Sequence, residues 1–480
     1  MEVIYLLILL LVGAGLTYFS VDKAASRVAL LISTVAFGYS LYLVSLHYGG
    51  QLPENIHFDW ISKPSIGFDL RLDGLALLML VLTTTLLPLI VASGIETKFA
   101  NAKSLYALVL LMAFAMCGTF VASNGLLYYI FWEVALIPIY FIALIWGSGD
   151  AEERKKQVVK FFIYTFAGSL FMLVGFVYLY GKAGSLLLTD LYKLELSYDE
   201  QLLVFGGFFL AYAIKIPLIP FHTWQANVYQ KAPAMGTMLL SGIMLKMGLY
   251  SVIRWQIPIS PDASKELMPY LVWIGIAGVI YGSIVALRQR DVKKLLAYSS
   301  LAHVGLIAAG FYGLTADGIT SGIIQMFGHG LVVVGVFFAV EVIERRYQTR
   351  AISELGGIRA QAVKFASAFL IVTLASVALP GTVNFVGEFG LLFSLSTQNV
   401  WFSVIGGLTI VLGAYYMLKM YQQVMLGEAN KKPFADLSVT ESLIFGALAA
   451  VIFFFGIYPQ PINDLIAPAV NEIIAQISTN

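Results

Sequence analysis

The sequence predicts an all-α polytopic membrane protein of about fourteen transmembrane helices, arranged as two inverted five-helix repeats, each with one broken helix. Three observations lead there. Apolar runs of roughly 18 to 25 residues recur along the whole chain, each long enough to cross a bilayer. Two of the longer runs are interrupted near their middle, by KIPLIPFHTW at 215–224 and by Leu379-Pro380-Gly381. Pro217 and Pro380 stand 163 residues apart, and one span earlier Phe166-x-x-x-Leu170 and Phe327-x-x-x-Leu331 stand 161 apart. An odd number of spans per copy turns the second copy over in the membrane, so 104–255 (spans four to eight) and 269–426 (spans nine to thirteen) read as inverted repeats.

Composition supports this class independently. The 480 residues are 59% hydrophobic and 12% charged, with a mean hydropathy of +0.84. Hydropathy places the spans near 3–20, 26–46, 73–94, 104–122, 124–146, 158–180, 201–226, 233–255, 269–287, 292–312, 317–343, 363–396, 401–426 and 439–458. The opening MEVIY has no basic residue before its apolar run, so the first span is expected to be retained rather than cleaved. Cys117 is the only cysteine, which excludes an internal disulfide and a cysteine-bound iron–sulfur cluster. No dinucleotide glycine fingerprint, P-loop or metal-spaced His/Cys cluster occurs, so any driving redox or hydrolytic chemistry is expected on other polypeptides.

Charge then sets the orientation. Twenty basic residues fall in odd-numbered loops, among them Arg154-Lys155-Lys156 and Arg288, Arg290, Lys293 and Lys294. The even-numbered loops hold five: Lys63, Arg71, Lys182, Lys193 and Lys265. By the positive-inside rule both termini lie on the outer side. Arg254 and Lys419 sit near span ends, where their long stems reach the interface, and Asp73 and Glu341 are expected to be solvated. Residues 56–72 alternate β-formers around Lys63-Pro64-Ser65, predicting an outer-face hairpin. From Pro461 onward, Ile462, Leu465, Ile466, Val470, Ile473, Ile474 and Ile477 recur at helical spacing, predicting an amphipathic helix at 461–480 along the outer surface, against lipid or a neighbouring subunit.

The chemistry is concentrated at mid-depth. A charge there costs about 3 kcal/mol or more, and proline removes a backbone hydrogen bond, so Lys215 beside Pro217 and Pro220 points to a broken helix lining a polar cavity. Six ionisable residues fall near span centres: Glu133, Lys215, Lys246, His303, His329 and Glu388. Low dielectric disfavours charged forms and a nearby opposite charge restores them, so a glutamate–lysine pair of variable separation works as a proton switch. Glu133 and Lys215 suit that pair, Lys246 a central carrier, His303 and His329 relay groups, and Glu388 the exit. Competing readings are a fixed ion pair for Glu133 and Lys215, and packing roles for the two histidines. His222 is either an inner-side entrance group or a cap on a half-helix.

Seven motifs stand in one order across residues 70 to 430: Phe131-Trp132-Glu133 through Pro138, KFFIYTFAGS at 160–169, KIPLIPFHTW, LKMG at 245–248, DVKKLLAYSSLAHVG at 291–305, His329-Gly330 and LPGTVNFVGEF at 379–389. With these the chain resembles the subunit M (mitochondrial chain 4) family of proton-pumping subunits of respiratory complex I, the NADH–quinone oxidoreductase. The resemblance implies a fourteen-helix, antiporter-like fold with the six named residues on a central hydrophilic axis. It implies a translocase subunit in a bacterial or mitochondrial inner membrane, with no cofactor on this chain and NADH, FMN, iron–sulfur clusters and quinone on partner subunits. Expected partners are neighbouring antiporter-like subunits of the membrane arm and lipids, with no nucleic acid, and the hairpin and C-terminal helix would tie neighbours together. The alternative is a subunit of a multi-subunit Mrp-type Na+/H+ antiporter. Relatives of that kind look to carry lysine where this chain has Glu388, so Gly387-Glu388-Phe389 favours the first reading.

Overall fold

The computed structural model of the chain describes residues 2–51, 55–61, 66–428 and 432–478. Among these, twelve helices are long and apolar enough to cross a membrane. Ala234–Ile259, Ala316–Tyr347 and Val292–Tyr312 form the buried centre, whereas Glu2–Phe19, Asp22–Tyr48 and Val439–Ile457 expose most of their apolar surface. Side chains such as Leu16, Leu31 and Leu443 point outward because hydrocarbon, not water, is their intended solvent. Pro261–Leu287 and Val292–Tyr312 pack closely through Gly275 and Gly305: a Cβ on Gly305 would lie 2.6 Å from the Gly275 carbonyl oxygen. Small residues at such a crossing let backbones approach where no hydrophobic force separates protein from lipid.

Two further apolar segments are each split in two, Tyr198–Lys215 with Gln225–Lys231, and Val363–Ser376 with Val383–Gln398. Both breaks are closed by the same pair of backbone bonds. Leu218 N donates to Ala213 O (2.8 Å) and Phe221 N to Leu218 O (2.6 Å); Leu379 N donates to Leu374 O (3.1 Å) and Thr382 N to Leu379 O (3.0 Å). These bonds match at an offset of 161 residues, the spacing of Phe166 and Phe327, against 163 between Pro217 and Pro380. Side chains add to the bonding at the breaks: Trp224 Nε1 donates to Ile214 O (2.9 Å), and Thr382 Oγ1 gives Leu379 O a second bond (2.7 Å).

At one end of the bundle, strands Asn55–Ile61 and Ile66–Arg71 pair antiparallel; the turn at Lys63-Pro64-Ser65 lies outside the described residues. His57 Nδ1 lies 2.5 Å from Asp69 Oδ1, and Asn124 Nδ2 donates to the other Asp69 oxygen (2.9 Å). The carboxylate hydrogen bond holds the His57 imidazole above its usual pKa. The amphipathic helix Gln460–Ser478 sits on the same end. Its apolar face, Ile462, Leu465, Ile466, Val470, Ile473 and Ile477, is buried on this chain's own helices Gly74–Ser93 and Ala316–Tyr347, not turned to lipid or a neighbour as its sequence suggested. Gly74 makes the contact possible: a Cβ there would fall 1.7 Å from the Leu465 carbonyl oxygen.

Arg71 reaches this helix with two bonds to Glu472 (3.0 and 2.5 Å), and its Nε lies 3.4 Å from Asp73. Asp73 in turn pairs with Arg254 (2.6 Å) and caps Gly74–Ser93 through Ala76 N (3.0 Å). Neither Asp73 nor Arg254 behaves as its position near a span end suggested: they are 3% and 2% exposed. Arg254 Nε donates to Tyr250 (3.1 Å) and its main-chain carbonyl accepts from Tyr192 (2.6 Å), so it is enclosed within the bundle, and the paired carboxylate compensates its burial. At the opposite end Arg345 and Arg346 both bind Glu441, the Arg346 contact being 2.7 Å, and Glu441 completes a capping box with Ser438 at the start of Val439–Ile457. Lys293, counted above as a loop charge, is only 3% exposed and donates to Ala232 O (2.5 Å).

Asp73→Asn leaves Arg254 charged and buried beside a neutral group, and is expected to cost about 3–5 kcal/mol. Thermal unfolding of the detergent-solubilised protein checks this, with an Asp73→Leu/Arg254→Met double variant expected to lose less. The raised imidazole pKa means the His57–Asp69 clasp contributes fully below a pH of about 6.5 and is lost as pH rises through the higher folded-state value. Protection factors of the strand amides, corrected for intrinsic exchange, should therefore fall as pH rises above about 6.5, and that fall should be absent in His57→Gln.

Candidate functional site

The central groups are set by local interruptions of helical geometry. Lys246 stands in Leu245–Ser251, between the π-helical turns Leu240–Met244 and Val252–Gln256. A π turn displaces the ordinary i→i+4 pattern and leaves a carbonyl available. The Lys246 ammonium takes that of Ser241 (2.6 Å) and also contacts His329 Nδ1 (2.7 Å). Lys246 is fully buried and His329 is 3% exposed. The other His329 nitrogen, Nε2, lies 3.1 Å from Ser300 Oγ.

A second contact lies beyond it. His303 Nδ1 is 2.7 Å from Glu388 Oε1, and Gln325 Nε2 donates to the same oxygen (2.9 Å). Glu388 stands within Val383–Gln398, the half-helix that follows the second break, and is 1% exposed. The His303 and His329 rings are 6.0 Å apart between centroids. Between them lies a cavity of about 20 Å³, lined by Ser299, Ser300, His303, His329 and Asn384 among others, which is room for one water molecule. Tyr416 donates to Ser299 (3.0 Å), and Asn384 Oδ1 is buried without a partner. Hydrogen bonds thus run from Ser241 through Lys246 and His329 to Ser300, and beyond a water-sized gap His303 and Glu388 stand in close contact without hydrogen-bond geometry.

Glu133 and Lys215 are arranged differently. Glu133 ends the helix Gly125–Val134, which resumes at Leu136–Trp146. Pro138 cannot donate to the Val134 carbonyl, which accounts for the interruption next to Glu133. Glu133 is half-buried with Ser169 in hydrogen-bonding reach, and its Oε1 has no partner. The Lys215 ammonium, 2% exposed, also has no hydrogen-bond acceptor; it sits 4.8 Å from the centroid of the Trp132 ring. The structure holds the two groups apart, with the lysine resting on the aromatic face of Glu133's neighbour, a contact worth about 2 kcal/mol when desolvated. His222 is 9% exposed, edge-on to Tyr281 at 4.7 Å, with Nδ1 unpartnered.

Sequence reasoning missed Ser241, Ser300, Gln325 and Trp132. Spacing could have found two of them: Ser300 precedes His303 by three residues and Gln325 precedes His329 by four, so each shares a helix face with a histidine. Ser241 contributes a main-chain carbonyl, for which no side-chain pattern exists.

Comparison with known proteins agrees with this geometry. The family described as NADH:quinone oxidoreductase/Mrp antiporter, TM, matches residues 122–413, more than half of the chain. The chain is 35% identical over 457 residues to the NADH-quinone oxidoreductase subunit M of Rickettsia bellii, covering 94% of this chain and 92% of that one. It is 34% identical to the NADH-ubiquinone oxidoreductase chain 4 of Arabidopsis thaliana, over 93% and 91% of the two chains. A chain of respiratory complex I from Thermus thermophilus, solved with bound NADH, superposes with a TM-score of 0.92 at 26% identity over 100% of both chains. A chain of the Mrp complex from Dietzia sp. DQ12-45-1b superposes with a TM-score of 0.85 at 20% identity, over 99% and 98%, a likeness of fold alone. Twelve membrane-length helices, paired helix breaks, the family match and relatives alike over nine-tenths of their length lead to one conclusion: the chain belongs to the NADH:quinone oxidoreductase/Mrp antiporter family of transmembrane subunits.

Proposed function

We propose that this chain is a proton-translocating membrane subunit of an NADH–quinone oxidoreductase, moving protons while electrons pass from NADH to quinone on partner subunits. The observation that carries the reading is the buried line of contacts Lys246–His329 and His303–Glu388, each 2.7 Å long, set between two broken helices. Isolated ionisable groups at this depth are costly, and two contacting pairs facing one water-sized cavity support a conduction role over a packing one. In this reading the family's redox centres (FMN and iron–sulfur clusters) and its quinone belong to other polypeptides. The two broken segments count as additional spans, giving fourteen, and the 161-residue match of their closing hydrogen bonds supports inverted repeats. Both termini then lie on the outer side, as the basic loops require.

All steps but one use groups already in contact. Lys246 delivers a proton to His329 Nδ1, and His329 releases one from Nε2 towards Ser300. A water of the size the cavity admits carries it to His303, which passes it to Glu388. Glu133 and Lys215 control the supply. Separated, as here, the unpaired ammonium gives up its proton more readily; drawn together, the pair favours the charged forms. The half-buried face of Glu133 leaves room for a neighbouring subunit to bias that separation.

Inverted membrane vesicles energised with NADH provide the test. Glu133→Gln and Lys215→Ala should each lower proton uptake and coupled turnover severalfold in complexes that still assemble. Full uptake in both would refute the switch, and NADH oxidation without any gradient dependence on this chain would return the sodium–proton antiporter reading, checked by a sodium pulse. Glu388→Gln should impair proton release, whereas Glu388→Lys, keeping a titratable group, should retain more turnover. Gly387→Ala places a Cβ 2.5 Å from Gln325 Oε1 and should pull Gln325 off Glu388. The carboxyl band of Glu388 in difference infrared spectra is expected to shift in that variant, and to stay put in Gly446→Ala, where a Cβ meets nothing.

A further inference from the structure

A second polar feature lies well away from the central line. Where Pro261–Leu287 turns into Val292–Tyr312, beside the end of Val400–Leu426, the surface holds a cavity of about 630 Å³. Arg288, Arg290 and Lys419 line its polar side, and Leu287, Leu295 and Met420 its apolar side. Several other arginines on this end of the bundle have partners: Arg345 and Arg346 bind Glu441, Arg350 binds Asp291 (3.5 Å) and Glu344 (3.1 Å), and Arg154 donates to the Leu144 and Gly147 carbonyls. Among the described residues no carboxylate pairs with Arg288, Arg290 or Lys419, and Lys419 only rests over the Tyr415 ring at 5.5 Å. Glu354, next in the chain to the lining residue Ser353, takes a hydrogen bond from Thr349 Oγ1 (2.5 Å).

The apolar surroundings continue away from these cations in one direction. Trp401, Val404, Leu408, Val411, Tyr415 and Leu418 are all exposed and recur every three or four residues, so they make one stripe along Val400–Leu426 that ends beside Lys419. Three unneutralised cations at a span end, above a pocket floor and a long apolar stripe, form the complement of an anionic head on hydrocarbon tails.

We propose that this cavity binds the headgroup of an anionic phospholipid, its phosphate held by Arg288, Arg290 and Lys419 and its acyl chains laid along the stripe from Leu418 to Trp401. Guanidinium groups take two phosphate oxygens at once, so the arginines orient the headgroup and the lysine adds a point charge. None of the three cations belongs to the central line, which the cavity approaches only through Tyr416 of its lining, a donor to Ser299.

Native mass spectrometry of the full-length chain in detergent, titrated with dioleoyl phosphatidylglycerol, dioleoyl phosphatidylcholine or inorganic phosphate, tests the proposal. Phosphatidylglycerol should bind more tightly than phosphatidylcholine. The Arg288→Gln/Arg290→Gln/Lys419→Gln variant should bind phosphatidylglycerol on the order of tenfold to a hundredfold more weakly. A Lys155→Gln/Lys156→Gln control, which removes two exposed cations elsewhere, should bind it unchanged. If the triple variant does not fold, Arg290→Gln and Lys419→Gln alone should each weaken binding about fivefold. Equal binding of both lipids, or undiminished phosphatidylglycerol binding in the variants, would overturn the site. Displacement by inorganic phosphate at matching concentration would overturn the lipid assignment and leave a free-anion site. In the assembled complex, a triple variant that sheds a neighbouring subunit while keeping its phosphatidylglycerol would overturn it in favour of a protein interface.

Discussion

The fully buried ammonium of Lys246 is the constraint on which the rest of the centre depends. In a bundle meant for hydrocarbon, a cation at this depth has to find its partners within the protein. Lys246 has two, the Ser241 carbonyl and His329 Nδ1, and neither is a carboxylate. The π turn that frees Ser241 costs regular helix geometry, which is tolerable because Ala234–Ile259 is enclosed on all sides by other helices. A formal ion pair here would hold the proton fast. A carbonyl and an imidazole stabilise the ammonium enough to keep it in place while leaving a proton-accepting nitrogen in contact.

The two ends of the bundle follow the opposite logic. Arg254 with Asp73, Arg71 with Glu472, and Arg345 and Arg346 with Glu441 are ion-paired, each carboxylate also capping a helix or joining distant segments. Such pairs contribute little net energy for their burial but are expensive to break, so they fix which helix ends meet. Rigid ends and a sparsely paired centre divide the labour. At the centre Lys215, Glu133 Oε1 and Asn384 Oδ1 have unfilled hydrogen bonds and no ion pair within reach.

Much of this was legible in the chain. Composition and run length gave the class, because crossing a bilayer demands about twenty apolar residues in a row. The breaks at 215–224 and 379–381 were visible because proline and glycine are punctuation wherever they occur, and all six mid-span ionisable residues stand out because their cost makes them rare. What could not be read was pairing. Glu133 and Lys215 look like an ion pair on charge alone, yet the ammonium rests on Trp132; His303 gives no sign in sequence that its partner is Glu388, 85 positions later. Asp73 and Arg254 looked exposed because each lies near the end of its own span, and their burial depends on distant partners, each other and, for Arg254, Tyr192 and Tyr250.

The sequence by itself determined that the chain crosses the membrane many times, where it breaks, and which side chains carry charge to mid-depth. Those are properties of single segments in a solvent, and local chemistry settles them. The tertiary structure decided which nitrogen meets which oxygen, that the C-terminal helix buries its apolar face on its own chain, and that Arg288, Arg290 and Lys419 share one cavity. Those depend on contacts between residues tens to hundreds of positions apart, and a hydropathy pattern repeats too uniformly along an all-helical membrane chain to say which helix lies beside which.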